Sequence, residues 1–174
     1  MIKFTVMSYN KARKHSYNPN IEDCIIISIR DYEEEARFNN RNPHIKGVLY
    51  LNYNDVEGNG EHCMTRRDAE KIIQFVNQHI GSVEHIVVHC EAGVSRSAGT
   101  CAGLMQILIG SDWDIFGNNK FNPNMHCYKT MLNTYFGIHI FGQCIEEGVP
   151  DFMKENIEKW RRVIEREISG NVKS

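Results

Sequence analysis

The chain has 174 residues, of which 41% are hydrophobic and 24% charged, and its net charge is −2. This is the composition of an ordinary globular protein, long enough for one domain that buries a core without staples. The near-neutral balance excludes any overall attraction to nucleic acid or anionic membrane, so anion binding must be local.

Residues 3–9 alternate and are rich in strand formers, which predicts a first strand. No long apolar stretch or cleavage site marks the start as a signal peptide, and no segment approaches the ~18 apolar residues of a membrane span. Residues 10–20 are polar and read as a loop, its basic Lys11, Arg13 and Lys14 solvated. Residues 24–29 form a continuous apolar run, suited to a strand covered on both faces. The charged, Asn-rich stretch 31–44 predicts a loop with one helical turn, and 46–53 a third strand. A polar loop with Gly58 and Gly60 follows. Thr65 is an N-cap with Asp68 three residues on, opening a helix to about His79 that Gly81 ends.

Residues 84–89 predict a fourth strand. The helix after Arg96 begins with small residues (Ser97, Ala98, Gly99, Ala102, Gly103) and continues with apolar ones, the pattern of a closely packed central helix. A loop over 110–122, a helix from Pro123-Asn124 to about Phe136 and a last amphipathic helix over 151–168 complete the reading, with 169–174 as a frayed tail. Strands followed by crossover helices imply a single α/β domain spanning 1–174. Its central, mostly parallel mixed sheet of four to five strands is flanked by helices on both faces.

Six cysteines, at 24, 63, 90, 101, 127 and 144, show neither a Cys-x-x-Cys pair nor metal-ligand spacing. Free thiols in a reducing cytoplasm are expected, with no metal and no cofactor.

The stretch Val87-Val88-His89-Cys90-Glu91-Ala92-Gly93-Val94-Ser95-Arg96-Ser97 carries the chemistry. It reads as a buried strand, a short loop and a helix start. Five residues between Cys90 and Arg96 let the loop amides of Glu91, Ala92, Gly93, Val94 and Ser95 converge, and converging amides ahead of a helix N-terminus bind an anion. Gly93 permits backbone angles closed to other residues. Arg96 offers a planar fork for two phosphate oxygens. A cysteine in such a positive cup is placed, as thiolate, for attack on phosphorus.

His-Cys-x5-Arg-Ser resembles the signature of the cysteine-dependent protein tyrosine phosphatases, and in length and layout the small dual-specificity-like branch. The likeness covers nearly all of residues 46–136. It implies a phosphoprotein phosphatase acting on phosphotyrosine, and on phosphoserine or phosphothreonine, through a phosphocysteine on Cys90. Arg96 would bind phosphate, and Ser97 would donate a hydrogen bond to the Cys90 sulfur. Similar enzymes carry an acid aspartate where Asp55 stands; Glu57 and Asp68 are the rivals, Asp68 being better explained as a helix N-terminal charge. The family pattern gives His89 a loop-ordering role, equal in weight to that of a plain core histidine. Pro123-Asn124 resembles the pair that props the signature loop. Glu91 is expected to turn its side chain to solvent or a neighbouring arginine. The partner expected is a phosphorylated protein or peptide met by a monomer, with no nucleic acid or membrane. The alternatives are an inactive phosphate- or phosphoprotein-binding module of the same fold, and rhodanese-like or arsenate chemistry. Lipid or RNA substrates are disfavoured because the loop has no lysine or internal arginine.

Overall fold

The computed structural model describes residues 2–58 and 60–141. The elements run β1 (Lys3–Ser8), α1 (Tyr9–Ser16), β2 (Cys24–Arg30), β3 (Ile45–Asn52), α2 (Arg66–His79), β4 (His85–Cys90), α3 (Arg96–Ile109), α4 (Trp113–Phe116) and α5 (Met125–Phe141). The strands form one four-stranded sheet in the order β1-β4-β2-β3, and every pairing is parallel. The α/β class expected from the sequence is therefore present, with a sheet that is parallel throughout among the described residues. The last amphipathic helix expected over 151–168 lies outside them.

The central strands are apolar on both faces because both faces are covered. Ile25, Ile27 and Ile29 of β2 and Ile86 and Val88 of β4 pack under α2, α3 and α5. Ile26 and Val87, one residue out of phase, pack with Ala12 of α1 and with Phe38 on the other side. Each such isoleucine or valine contributes about 1.5–3 kcal/mol by leaving water.

Residues 9–16, expected as loop, are helical. Ser8 caps the helix by accepting from the Lys11 N–H, and Ala12, wholly buried, is its apolar anchor. Buried Ser16 ties it down, donating to the Arg13 carbonyl at 2.7 Å and accepting from the Asn39 amide at 3.0 Å. One alanine per two turns leaves no hydrophobic period to read, so tertiary contact rather than pattern makes this helix. In α2 the Thr65–Asp68 capping box is complete. Gly81 follows the C-cap residue Ile80, the place expected of a helix-ending glycine, but it does not take the left-handed conformation that favours glycine there.

Small residues let α3 lie close to α5. A Cβ on Gly99 would stand 2.2 Å from the Asn124 carbonyl oxygen, and one on Gly103 2.6 Å from the Met131 Cβ. This contact brings Asn124, at the head of α5, against the start of α3, where the candidate site lies.

Candidate active site

Cys90 is the last residue of β4 and Arg96 the first of α3, so the loop between them sits at the carboxyl end of the parallel strands, where ligands of such sheets bind. Its outer side is tied to the surrounding chain. The Glu91 carbonyl accepts from the Tyr9 amide at 3.1 Å, that of Val94 from Asn122 at 3.0 Å, and that of Ser95 from Gly99 at 2.9 Å and Asn124 at 3.2 Å. In planar trans peptides these bonds direct the following amides, those of Ala92, Ser95 and Arg96, to the opposite side. Gly93 makes the turn at φ +73°; a Cβ there would meet the backbone of Met7 and Ser8 at 2.4 Å.

Cys90 is 2% exposed, at the floor of this loop, and its Sγ lies 3.0 Å from the hydroxyl of fully buried Ser97. Arg96 is also buried. Its Nη1 donates to the Tyr53 carbonyl at 2.8 Å and pairs with Asp31, while its Nε has no partner among the described residues. One edge of the guanidinium is thus anchored and another is unspent, in the fork geometry that takes a phosphate.

Asp55 reaches the loop from the segment after β3. Its Oδ1 accepts from the Ser95 hydroxyl at 2.8 Å and from Asn124 Nδ2 at 2.9 Å. Asn124 also donates to the Val56 carbonyl at 3.2 Å and accepts the Cys127 amide at 3.0 Å, so one side chain starts α5 and holds the Asp55 segment. Of the rival acids, Asp68 is spent in the α2 cap, and Glu57, exposed as Asp55 also is, makes no hydrogen bond to the loop among the described residues. The structure therefore brings Cys90, Ser97, Arg96, Ser95, Asn124 and Asp55 together.

His89 lies on the opposite face of the sheet. It is wholly buried between the rings of Phe38 (centroids 5.3 Å apart) and Tyr9 (5.7 Å), and its Nδ1–H donates to the Cys90 carbonyl at 3.3 Å. Burial holds its imidazole down to about 4, against the raising effect of that hydrogen bond, so it is neutral at physiological pH. It is at once a core residue and a brace behind the loop. Glu91 turns outward and pairs with Arg30, as its place beside an anion site requires.

Sequence reasoning missed Asp31, Arg30 and the Tyr53 carbonyl. Arg30, the last residue of β2, and the adjacent Asp31 reach the two ends of the loop, at Glu91 and Arg96 respectively. The available signal was a charged pair directly after the run 24–29, apolar but for Ser28, at the ligand-binding end of the sheet. Burial raises the thiols of Cys101 and Cys127 to about 12, which leaves them inert beside Cys90. The described cysteines, Cys24, Cys63, Cys90, Cys101 and Cys127, are all free thiols. Among the described residues no three His, Cys, Asp or Glu side chains are grouped to hold a metal, and no helix is long and apolar enough to cross a membrane.

No family model and no curated protein matches the sequence. Solved structures do match the fold. A mouse putative dual specificity phosphatase complexed with zinc tungstate is 12% identical at a TM-score of 0.56, over 79% of this chain and 84% of that one. The human tyrosine phosphatase-like serine/threonine/tyrosine-interacting protein is 22% identical at 0.53, over 79% and 93%. Human DUSP28 is 12% identical at 0.54, over 80% and 99%. With the parallel sheet, the Cys90–Arg96 loop at its carboxyl end and these likenesses taken together, the chain has the fold of the cysteine-dependent tyrosine phosphatases, in its small dual-specificity form.

Proposed function

We propose that the protein is a phosphoprotein phosphatase that hydrolyses phosphate monoesters through a phosphocysteine on Cys90. The observation that carries this is the pairing of a buried cysteine sulfur, 3.0 Å from the Ser97 hydroxyl, with an Arg96 guanidinium whose Nε is buried and unspent. A binding module needs the arginine but has no use for a nucleophile with a hydrogen-bond donor seated on its sulfur.

In the first step the Cys90 thiolate attacks phosphorus in line. The S–P bond forms, the P–O bond to the leaving group breaks, and Asp55 gives that oxygen its proton. The loop amides and Arg96 carry the equatorial oxygens as charge builds. In the second step water attacks the phosphocysteine, Asp55 takes the water proton, and the S–P bond breaks. Inorganic phosphate leaves, and Ser97 donates to the departing sulfur. The Ser95 and Asn124 bonds to Asp55 hold the carboxylate over the loop through both steps. A loop without a lysine or internal arginine favours a phosphopeptide over lipid or RNA, and the cytoplasm is the compartment proposed, where Cys90 stays reduced.

Turnover of p-nitrophenyl phosphate and of phosphotyrosine and phosphoserine peptides tests this. Cys90→Ser abolishes activity, and Asp55→Asn lowers kcat on phosphopeptides by about a hundredfold, the lower end of what general acid catalysis supplies. Wild-type protein that binds phosphopeptide without turning it over is instead a binding module. Full activity of Asp55→Asn across pH removes the acid assignment.

A further inference from the structure

A cavity of about 260 Å³ lies beside the phosphate-binding loop, lined by Ser28, Arg30, Glu34, Glu35, Tyr50 and Asn52 among others. It sits on the face of the sheet opposite the central helix α3. Ser28 pairs in register with His89 and with Tyr50, and Arg30 with Asn52, so these side chains form two neighbouring cross-strand rows. Arg30 is the wall shared with the site, because the same guanidinium holds Glu91, the residue after the Cys90 nucleophile.

The chemistry of the lining is lopsided. Arg30 is the only cation among the lining residues; its two terminal nitrogens face Glu34 at 2.6 Å and Glu91, its Nε is buried without a partner among the described residues, and its guanidinium centre lies 4.3 Å from the Tyr9 ring centroid. Glu35 has Arg37 as its partner, at 3.3 Å, with both side chains largely in water, a pair of little strength. Of the acidic segment Asp31-Tyr32-Glu33-Glu34-Glu35, Glu34 and Glu35 line the cavity, while Asp31 is paired with Arg96 and Glu34 with Arg30. At the bottom stands Ser28, wholly buried, its hydroxyl without a partner among the described residues. A buried hydroxyl has a reason to be there if something brings it a hydrogen bond.

A cation entering this cavity finds a weakly held carboxylate at the mouth, an aromatic wall and an accepting hydroxyl at the end. It also offsets the repulsion between a phosphate dianion and the acidic segment next to the loop. Neighbouring residues of a peptide are ~3.8 Å apart at Cα, within reach of a cavity one side chain away from the loop. We infer that the cavity is a specificity subsite that takes the lysine or arginine side chain flanking a phosphorylated residue. The inference rests on the proposed phosphopeptide substrate and narrows it to basic sequences.

The test measures affinity, so that it does not depend on turnover. Peptides carrying a non-hydrolysable phosphonate analogue of phosphotyrosine, with Arg, Gln or Glu directly before or after it, are titrated against the full chain by fluorescence polarisation. At one of the two positions the Arg peptide binds about tenfold tighter than the Glu peptide, a difference of about 1.4 kcal/mol. Glu35→Gln and Ser28→Ala each cut that ratio to about threefold or less, ~0.7 kcal/mol remaining. Wild-type ratios within about twofold at both positions, ~0.4 kcal/mol, overturn the subsite, as does a ratio that neither variant changes. Turnover of p-nitrophenyl phosphate is read separately. Turnover with flat peptide preference sinks the subsite alone, and an Arg preference without turnover keeps the subsite and removes the phosphatase.

Discussion

Arg96 shows how a charge is made both buried and available. Its Nη1 is spent on the Tyr53 carbonyl and Asp31, which fixes the plane of the fork, while its Nε is held in reserve. Asp31 is half-exposed, so its attraction for Arg96 is softened by solvent and its main role is positioning. Asp31→Ala leaves the Tyr53 carbonyl as the remaining anchor. The expected outcome is a kcat/KM for p-nitrophenyl phosphate lower by about tenfold, the loss of one hydrogen bond to a charged group, with a weaker Ki for inorganic phosphate. A tighter Ki would show that Asp31 acts by repelling the anion instead. At the sequence scale only its place directly after Arg30, at the end of an apolar strand, set Asp31 apart from the acids Glu33 and Glu35, and its partner lies 65 positions away along the chain.

At the scale of elements, the site depends on how closely α3 meets α5. The small-residue start of α3 was legible in the sequence as close packing, and the contact of Gly99 with the Asn124 carbonyl is that packing. Gly99→Ala pushes a methyl into backbone that also carries the Ser95 and Asp55 contacts. It is expected to cost about 2–3 kcal/mol and on the order of 5–10 °C in Tm, read by thermal denaturation. Gly81→Ala is the contrast: a Cβ there meets nothing within 4 Å, so Tm holds or rises slightly. The helix α1 was not legible, because Ser8, Ala12 and Ser16 earn their roles from β4, Phe38 and Asn39 rather than from any period of their own.

Across the whole molecule, two neutral imidazoles are built into the sheet. His89 lies behind the site, and His85 at the start of β4 bonds Thr5 at 2.8 Å through Nε2. Burial lowers both to about 4, from 6.5. The unfolded chain therefore binds protons between pH 6.5 and 4 that the folded chain refuses. Stability is full above about pH 6.5 and falls as pH drops toward 4, by up to about 1.4 kcal/mol per pH unit for each histidine. Urea midpoints measured from pH 7.5 to 4.5 follow this slope, and His85→Gln or His89→Gln flattens it. A midpoint independent of pH would mean the rings are charged or solvated in the native state.

The sequence by itself determined the α/β class, the four strands and the identity of Cys90, Arg96 and Ser97 as a loop group. These are local facts: strand runs, a glycine-containing turn and a helix start lie within a few residues of one another, and short-range sterics dictate them. Only the tertiary structure decided which polar side chains from elsewhere in the chain meet that loop, and brought Asp55, rather than its rivals, against it. Asp31, Asp55 and Asn124 come from three separated segments, and the order β1-β4-β2-β3 brings their elements to one end of the sheet. Parallel strand order and helix docking arise from burial of both sheet faces at once, a property of the assembled core that no window of sequence contains.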